Sequence, residues 1–382
     1  MVRNSATELS KEELERYRRH LVMPEVGLEG QKQLKSSSVL VVGAGGLGTP
    51  AAIYLAAAGV GRIGIIDFDN IERSNLQRQI LYSESDVGKS KVQVAKTKLE
   101  EINPNVVIET YNEKLDSSNA LRILRSYDVV VDGSDNFPTR YLVNDACVFL
   151  GKPDVYASVF KFDGQASVFA AKEGPCYRCL YPEPPPPSEV LSCAAAGVFG
   201  VLPGIMGSIQ AAETIDLLLG KESSLLGRLI VFDGARMKFA EFKLKKNPEC
   251  VICGPKPTVR ELIDYEAFCG LKGTSRPELE TTPLILKKWI DEGRGLLLLD
   301  VREPLEYQIC HIEGSKLIPL GQLGERVREL DKSKSIVAYC HIGIRSAAAV
   351  ELLSGMGFKN VKNLKGGITA WADQVDHSMS KY

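Results

Sequence analysis

After a charged N-terminal helix, the first part of the chain alternates short apolar segments with longer helical ones. The apolar segments have the length of strands and read SVLVVG, RIGIID, VVIETY and DVVVDG; the stretches between them include TPAAIYLAAAG and KVQVAKTKLEEI. This alternation is typical of a parallel sheet with crossover helices. From about Pro153 strand-like segments dominate, namely VYASV, QASVFAA, RLIVFD and KFAEFKL. The pattern therefore predicts an α/β domain with a mixed sheet.

A second series of strand and helix signals follows Pro283 and includes the buried strands LLLLDVRE and SIVAYC. The region before it is rich in Gly, Pro, Ser and Thr, which is typical of a linker. We therefore predict one domain over residues 1–254, a linker over 255–282 and a second α/β domain over 283–382. The proline-rich stretch PEPPPPSEVLSC cannot form a helix or a central strand, so we expect it to be exposed.

The composition is that of an ordinary globular protein, with 44% apolar and 25% charged residues in a chain of 382. A formal net charge of -1 gives no electrostatic reason to expect nucleic acid or an anionic membrane as a partner. The N-terminus is unlike a signal peptide and no apolar run reaches the roughly 18 residues of a membrane span, so we expect a cytoplasmic location. Nine cysteines there favour metal ligands or reactive thiols over disulfides.

A glycine-rich loop directly follows the strand VLVV and directly precedes a helix. Gly43, Gly45 and Gly48 form the pattern G-x-G-x-x-G, and Asp67 ends the next strand 19 residues after Gly48. Such glycines let backbone N–H groups approach a phosphate at a helix N-terminus, and the acid can accept hydrogen bonds from ribose hydroxyls. At this point an NAD-dependent dehydrogenase and an ATP-using enzyme remain open alternatives.

Cationic and polar residues beyond that acid favour ATP. IERSNLQRQ contains Arg73, Asn75 and Arg78, and GKSK places Lys91 at the start of a helix. A dinucleotide carries fewer phosphate charges than a triphosphate, so this set of cations fits the triphosphate better. Asp135 in DGSDN follows the strand DVVV at its carboxyl end, where ligands of such sheets bind, and could hold Mg²⁺ against the phosphates.

The segments GAGGLG, DFDNIERSNLQRQ, GKSK and DGSDN together closely resemble the ThiF/MoeB adenylyltransferases, relatives of the ubiquitin-activating enzymes, over about residues 10 to 253. The resemblance implies a Rossmann-like adenylation domain. There the carboxyl-terminal glycine of a small ubiquitin-like protein attacks the α-phosphate of MgATP, giving an acyl-adenylate and pyrophosphate. Positive charge and positioning carry most of such a reaction.

The same resemblance assigns the site residues. It implies catalytic roles for Arg78, Lys91, Asp135 and Arg19. Family members lend the arginine that Arg19 matches to the neighbouring subunit, which implies a homodimer. The cofactor-binding residues would be Gly43, Gly45, Gly46, Asp67, Ser74, Asn75, Leu76, Gln77, Arg78, Lys91, Asp135 and Asn136.

Two C-x-x-C pairs predict a metal site. Cys176 and Cys179 lie in PCYRCL, and Cys250 and Cys253 lie in ECVICG. Four thiolates at this spacing make a closed tetrahedral zinc site, with no open position for a catalytic water. A redox pair is the alternative, but it would need only one C-x-x-C on a strand-to-helix junction. We therefore predict one structural Zn²⁺ per chain, and the resembling family carries the same site.

Cys193 ends the proline-rich stretch and precedes AAAGVFG. By default a cysteine beside alanines is a small buried hydrophobe. Relatives with a sulfur-transfer domain have a reactive cysteine in a matching S-C-x-x-x-G-V context. That resemblance implies a catalytic role for Cys193, either as a transient acyl carrier or as the thiol that resolves a disulfide.

The segment CHIGIRS begins with Cys340 at the end of a strand and leads into a helix. It resembles the active-site loop of the rhodanese family, and the resemblance covers about residues 283 to 378, including NLKGGITAW. Loop N–H groups, the dipole of the following helix and Arg345 would stabilise a thiolate or persulfide anion on Cys340.

The alternative interpretation of this loop is the active site of a cysteine phosphatase. Its loop has one residue more between cysteine and arginine than the four found here, and the smaller ring suits a single sulfur better than a phosphate. We expect Asp300 and Arg302 to orient the loop or a donor. His341 is a candidate for a local charge or an exposed residue without a role.

Together the two domains predict adenylation of a ubiquitin-like sulfur-carrier protein at its C-terminal glycine, followed by transfer of the Cys340 persulfide sulfur to form a thiocarboxylate. A cysteine desulfurase or thiosulfate would supply the sulfur. One alternative is adenylation only, with a separate sulfurtransferase role for the rhodanese domain; another is a zinc-stabilised interaction module without catalysis. The sequence does not select among molybdopterin, thiamine, cysteine and thiolated tRNA as the destination of the sulfur.

Overall fold

The computed structural model describes residues 8–170, 174–186, 197–270 and 277–380. The chain divides into two compact units. The first contains the described residues up to Pro184 and from 197 to Tyr265, and the second contains mainly those from Glu266 onward.

The first unit is built from helices on both sides of one sheet. Its helices are α1 (Lys11–Arg16), α2 (Arg18–Leu21), α3 (Gly27–Ser36), α4 (Gly48–Ala58), α5 (Lys91–Ile102), α6 (Ala120–Leu124), α7 (Phe137–Leu150), α8 (Tyr177–Leu180) and α9 (Leu202–Leu218), with α10 (Tyr265–Phe268) at the boundary between the units. Single 3-10 turns cover Arg73–Asn75 and Glu84–Asp86. The strands are β1 (Ser38–Val42), β2 (Arg62–Ile66), β3 (Val107–Tyr111), β4 (Val129–Asp132), β5 (Asp154–Phe160), β6 (Asp163–Phe169), β7 (Arg228–Asp233) and β8 (Lys238–Lys243).

These eight strands form one mixed sheet in the order β3-β2-β1-β4-β5-β6-β7-β8. Strands β3 to β5 in this order are parallel, and β5 to β8 pair antiparallel. The predicted mixed sheet is thereby confirmed. Because β1 is flanked by β2 on one side and by β4 on the other, the chain reverses its winding direction there. The crevice beyond the carboxyl ends of β1 and β4 is the place where such sheets bind ligands.

Two apolar helices, α4 and α9, pack closely against each other beside the sheet. All five residues of β1 are buried, and α4 is buried over most of its length. A Cβ atom on Gly207 of α9 would collide with the carbonyl oxygen of Leu47 and with Pro50 at the start of α4. Glycine at this position therefore permits the close packing of α9 on α4 that holds the glycine-rich loop in place.

The charged N-terminal segment differs from its prediction as a single helix. Tyr17 separates α1 from α2, with ψ near 11°, and its ring is buried. The Tyr17 hydroxyl accepts a hydrogen bond of 2.9 Å from Asn103 Nδ2. A tertiary contact that anchors the tyrosine thus outweighs the local helical preference of the segment.

The second unit is a smaller α/β layer structure. Its helices are α11 (Pro283–Asp291), α12 (Pro304–Ile309), α13 (Leu320–Arg326), α14 (Ile344–Gly355) and α15 (Gly367–Gln374), with 3-10 turns at Pro277–Leu279 and Val327–Glu329. Its strands are β9 (Glu280–Thr281), β10 (Leu296–Asp300), β11 (Lys316–Leu317), β12 (Ser335–Tyr339) and β13 (Val361–Leu364). They form a parallel sheet in the order β11-β10-β12-β13-β9, with apolar clusters on both faces.

Two pieces of the stretch predicted as a linker carry regular contacts. Tyr265 is buried in the first unit, and β9 joins the edge of the second sheet. Among the residues that the structure describes, none of the helices combines the length and apolarity that a membrane span requires.

Candidate functional site

The glycine-rich loop meets the DGSDN loop at the crevice between β1 and β4. Gly43 has φ of 91°, in the left-handed region that favours glycine, and a Cβ on it would lie 2.9 Å from the carbonyl oxygen of Gly133. Gly133 in turn donates its N–H to Val42 at 2.9 Å. The two loops therefore approach each other backbone to backbone, with the N-terminus of α4 facing the crevice.

Asp67 stands beside this loop at the end of β2. Its Oδ2 accepts a hydrogen bond of 2.8 Å from the N–H of Ala44, and its Oδ1 accepts one of 2.8 Å from the N–H of Asp69. Burial raises the pKa of Asp67, and the nearby charge of Lys91 opposes that rise. The carboxyl group is thus fixed by backbone donors at the position expected for the ribose acid.

Lys91 begins α5 and is buried, although it is a cation. Its Nζ donates to Asp69 Oδ2 at 2.8 Å, and its N–H donates to the carbonyl of Asp69 at 3.1 Å. The Tyr82 hydroxyl lies 2.9 Å from the carbonyl oxygen of Ala44 and 3.3 Å from that of Lys91. Asp69 and Tyr82 therefore hold the ammonium group and the glycine-rich loop in one arrangement.

The segment after β2 contains five further predicted nucleotide residues, of which Arg78 approaches the glycine-rich loop at Gly46. Asn75 is buried and its Oδ1 accepts from the Glu72 N–H at 3.1 Å. The half-buried Arg78 donates to the carbonyl of Ser74 at 3.0 Å, and its Cγ would lie 3.4 Å from a Cβ on Gly46. Ser74 and Gln77 are exposed, whereas Leu76 packs against the core.

Not every cation predicted for this region is available for phosphate. Arg73 is exposed and donates from Nε to Glu84 at 2.7 Å, which balances its charge.

Asp135 and Asn136 are exposed after β4, and Asn136 Oδ1 caps α7 by accepting from the Thr139 N–H at 3.0 Å. Arg19 is exposed on α2 and, within the described part of the chain, has no hydrogen bond or ion pair with the nucleotide residues.

The four cysteines of the two C-x-x-C pairs converge at one place. Their sulfur atoms all lie within 4.8 Å of one another, with Cys176 3.6 Å from Cys250 and Cys179 3.4 Å from Cys253. Tetrahedral Zn–S bonds of about 2.3 Å separate the sulfurs by about 3.8 Å, so the cluster fits such an ion. Hydrogen bonding among the four thiols lowers the pKa of Cys179 and Cys250 and raises the pKa of Cys176 and Cys253.

A buried carboxylate fastens this cluster to α7. Arg178 lies between Cys176 and Cys179 and donates from Nε and Nη2 to Asp145 at 2.9 Å and 2.8 Å. The Tyr265 hydroxyl also donates to Asp145, at 2.8 Å. Asp145 therefore joins the first C-x-x-C pair, the middle of α7 and the end of the first unit.

The second unit presents Cys340 at the carboxyl end of β12. Its buried Sγ accepts a hydrogen bond of 3.1 Å from the Gly343 N–H and lies 3.4 Å from Ser346 Oγ. Gly343 has φ of 97°, which lets the loop curl around the sulfur and enter α14. Residues 340–346 thus form a cradle around the sulfur at the N-terminus of α14, with the Gly343 N–H in contact with it.

Gly367, the first residue of α15, packs against the other side of the cysteine loop. A Cβ on Gly367 would collide with the carbonyl oxygens of Cys340 and His341. The N–H groups of Ile368 and Thr369 donate to those same carbonyls, at 2.8 Å and 3.1 Å. This close approach explains why the NLKGGITAW segment accompanies the cysteine loop.

The two arginines of the second unit lie in buried ion pairs. Arg345 donates from Nη1 and Nη2 to both oxygens of Glu306, at 2.7 Å and 2.6 Å. Arg302 pairs with Asp300 at 2.6 Å and lies over the ring of Tyr339, the residue before Cys340. Arg345, which was expected to stabilise the sulfur anion, is paired with Glu306 here, and that expectation stays a prediction. The Gly343 N–H and the Ser346 hydroxyl lie within hydrogen-bond distance of the sulfur.

Comparison with known proteins identifies both units. The model of the ThiF family matches residues 17–252, and the model of the rhodanese-like domain matches residues 282–374. The chain belongs to the ThiF family. The dehydrogenase alternative is therefore wrong, since this family is one of ATP-binding adenylating enzymes. The four cysteines are grouped in one cluster rather than in separate redox pairs.

Relatives of the ThiF family resemble the chain over different lengths. A probable adenylyltransferase/sulfurtransferase MoeZ of Mycobacterium tuberculosis is 45% identical over 99% of this chain and 97% of its own length. A sulfur carrier protein adenylyltransferase of Thermus thermophilus is 56% identical over 69% of this chain and 99% of its own. The crystal structure of E. coli MccB with ATP matches with a TM-score of 0.56 and 25% identity, covering 66% of this chain and 75% of that one.

Several residues of this ThiF-family chain were not found from the sequence. Asp69 and Tyr82 contact Lys91, and Asp145 contacts Arg178 between the first two metal-site cysteines. Asp69 had a local signal, since it stands two residues after the ribose acid in DFD, and Asp145 had a weaker one, as a charge inside an apolar helix. Cys193 lies outside the described residues, so its predicted role stays a prediction.

Proposed function

We propose that this chain adenylates the C-terminal glycine of a ubiquitin-like sulfur-carrier protein with ATP and then converts it to a thiocarboxylate with sulfur from Cys340. The observation that carries the proposal is the presence in one chain of two built sites, the glycine loop with Asp67 and Lys91, and the cradle around Cys340. The relative MoeZ has both activities in its name, and the Thermus relative names a sulfur carrier.

The first unit would bind ATP at the crevice beyond β1 and β4. Backbone N–H groups of the Gly43–Gly48 loop would contact phosphate, Asp67 would accept from the ribose, and Asn75 and Arg78 would border the phosphates. Lys91, held by Asp69, would stabilise the charge that develops as the carrier carboxylate attacks the α-phosphate and pyrophosphate leaves. Gly45, Gly46, Ser74, Leu76, Gln77 and Asn136 would complete the pocket.

Two further groups belong to this step. Asp135 is an exposed carboxylate at the crevice, and it would hold Mg²⁺, which neutralises phosphate charge when bound. Arg19 is exposed on α2 and would serve the site of the neighbouring subunit in a homodimer formed by the first unit.

Four sulfur ligands leave no open position, so Cys176, Cys179, Cys250 and Cys253 would hold a structural Zn²⁺.

The second unit would carry the sulfur. A donor, cysteine desulfurase or thiosulfate, would leave a persulfide on Cys340, and its terminal sulfur would attack the acyl-adenylate carbonyl and expel AMP. The product is an acyl disulfide between carrier and Cys340. Cys193 would then attack the Cys340 sulfur and release the thiocarboxylate, or would instead carry the acyl group before the sulfur arrives. A cellular thiol would reduce the resulting disulfide.

The domain bounds 1–254 and 283–382, the linker 255–282 and the cytoplasmic location remain part of this proposal. Adenylation with an unrelated sulfurtransferase activity is the alternative. The deciding experiment incubates the chain with ATP, thiosulfate and a candidate carrier and weighs the intact carrier. The proposal expects replacement of one terminal oxygen by sulfur, absent in Cys340→Ala, whereas a carrier that is adenylated but never thiolated would establish the alternative.

A further inference from the structure

Three buried side chains form a hydrogen-bonded row behind the cysteine loop. Ser346, in the first turn of α14, places its Oγ 3.4 Å from Cys340 Sγ and 2.6 Å from Asn363 Oδ1. Asn363 lies in β13, where its neighbours are Ala338 of β12 and Glu280 of β9. Its backbone is thus fixed between two strands, and its side chain is linked to the sulfur through Ser346.

The hydroxyl of Ser346 has one hydrogen for two neighbours. A distance of 2.6 Å between two oxygens requires that hydrogen to lie between them, so Ser346 donates to Asn363. Ser346 then presents lone pairs toward Cys340. This arrangement suits a neutral thiol, whose S–H can donate to the hydroxyl oxygen.

A sulfur anion on Cys340 needs the opposite arrangement. The Gly343 N–H is a fixed donor to the sulfur, and the Ser346 hydroxyl is a rotatable donor within reach of it. If Ser346 turns its hydrogen to the sulfur, its oxygen faces the Asn363 oxygen with no hydrogen between them, which is costly for buried acceptors. Rotation of the amide would remove that conflict, because its Nδ2 could then donate to Ser346.

We propose that Asn363 is a positioning residue that sets the direction of the Ser346 hydroxyl and so controls how well the loop stabilises a sulfur anion on Cys340. When Cys340 is a neutral thiol, Asn363 Oδ1 accepts the hydrogen of the Ser346 hydroxyl, which then does not donate to the sulfur. When Cys340 carries an anion, the Asn363 amide rotates and the Ser346 hydroxyl can donate to the sulfur. This inference rests on the proposed sulfur-transfer function of the loop and adds a residue to it that does not touch the sulfur.

The direct test replaces Asn363 with aspartate, whose carboxylate accepts but does not donate. Asn363→Asp should hold Ser346 away from the sulfur and slow iodoacetamide alkylation of Cys340 at pH 7.5, followed by peptide mass spectrometry, by about tenfold, the effect of losing one hydrogen bond to a charged group. Asn363→Ala removes the competing acceptor and should react at least as fast as the wild type. Slower reaction of Asn363→Ala than of Asn363→Asp would overturn the proposal.

A double-mutant cycle separates positioning from simple charge repulsion. In a Ser346→Ala background the aspartate at position 363 should slow alkylation at least threefold less than in the wild type, because the hydroxyl it acts through is gone. An equal loss with and without Ser346 would mean that the new charge acts on the sulfur directly, and the proposal would be wrong. Asn360→Asp, at an exposed position of the same unit, is the matched control and should leave the rate unchanged.

Folding of each variant is checked by the emission of Trp289 and Trp371, the chain's two tryptophans, both in the second unit. If Asn363→Asp does not fold, the pair Ser346→Ala and Asn363→Ala carries the test, since only the first should be slower than the wild type. Alkylation requires no ATP, carrier or sulfur donor. A chain that makes no thiocarboxylate yet shows the predicted cycle would refute the proposed function and support the role of Asn363.

Discussion

Arg178 and Asp145 form an ion pair in which the two side chains retain 2% and 0% of their exposure. The pair lies between the first two metal-site cysteines and the interior of α7, and Tyr265 contributes a further hydrogen bond to the same carboxylate. A charge buried this deeply is stable only with its partner, because removal of one member leaves the other without compensation.

Asp145→Asn should therefore destabilise the first unit by about 3–5 kcal/mol. Far-UV circular dichroism during urea unfolding measures this loss of stability. Emission from the two tryptophans, both in the second unit, reports the unfolding of that unit, whose urea midpoint should stay unchanged. Asp216→Asn is the matched control, since Asp216 pairs with Lys221 at 2.9 Å on the surface and an exposed pair contributes at most about 1 kcal/mol. Equal effects of the two substitutions would contradict this account of the buried pair.

The sulfur cluster should hold one tightly bound zinc per chain. Metal analysis of the purified protein checks the ratio, and Cys250→Ser should lose the metal and unfold more readily while leaving alkylation of Cys340 in the second unit unchanged. Four freely titrating thiols in the native protein, with far less than one equivalent of zinc, would refute the site.

Lys91→Ala should abolish carrier-dependent exchange of pyrophosphate into ATP, with a loss of about a hundredfold or more, as for other removed groups that stabilise transition-state charge. The thiosulfate sulfurtransferase activity of Cys340 should persist, because Lys91 belongs to the other unit. Lys89→Ala is the control: Lys89 lies two residues away but is largely exposed and pairs with Asp86. Loss of both activities in Lys91→Ala would indicate misfolding, and retained exchange would place the site elsewhere.

Local pattern was sufficient where the sequence carries its own signal. The stretch KVQVAKTKLEEI, predicted as a helix, coincides with α5 from its first residue to its last, and the strands before the glycine loop and before Cys340 lie where the apolar runs place them. Apolar periodicity, glycine after a strand and cysteine spacing all act over a few residues, and these gave the fold class and most of the candidate site.

Contacts between distant residues were not accessible in this way. Asp145 pairs with Arg178 across 33 positions and Arg345 pairs with Glu306 across 39. The sequence hint for the first pair was only a charged residue inside the apolar helix YLVNDACVFL, and none distinguished Arg345 as a partner of carboxylate rather than of sulfur. The N-terminal helix was predicted as continuous for the same reason, because the anchoring of Tyr17 by Asn103 is a tertiary contact.

Asp154 is a buried carboxyl at the start of β5, and its Oδ1 has no hydrogen-bond partner among the described residues. Burial raises the pKa of Asp154 well above its ordinary value, and the neighbouring charge of Asp132 raises it further. The folded protein therefore keeps a proton that the unfolded chain releases above pH of about 4.

Stability must then fall as the pH rises from about 4 toward the raised pKa of the folded state, by up to about 1.4 kcal/mol for each pH unit crossed. The asparagine side chain of Asp154→Asn cannot titrate. The free energy of unfolding of this variant, relative to that of the wild type, should therefore increase as the pH rises. Urea unfolding at pH 5, 6.5 and 8 measures the difference between the two proteins. Asp163→Asn, at an exposed position of β6, is the matched control for the substitution itself. A constant difference for Asp154→Asn would mean that Asp154 is already ionised in the folded protein at pH 5, against the direction that its burial dictates.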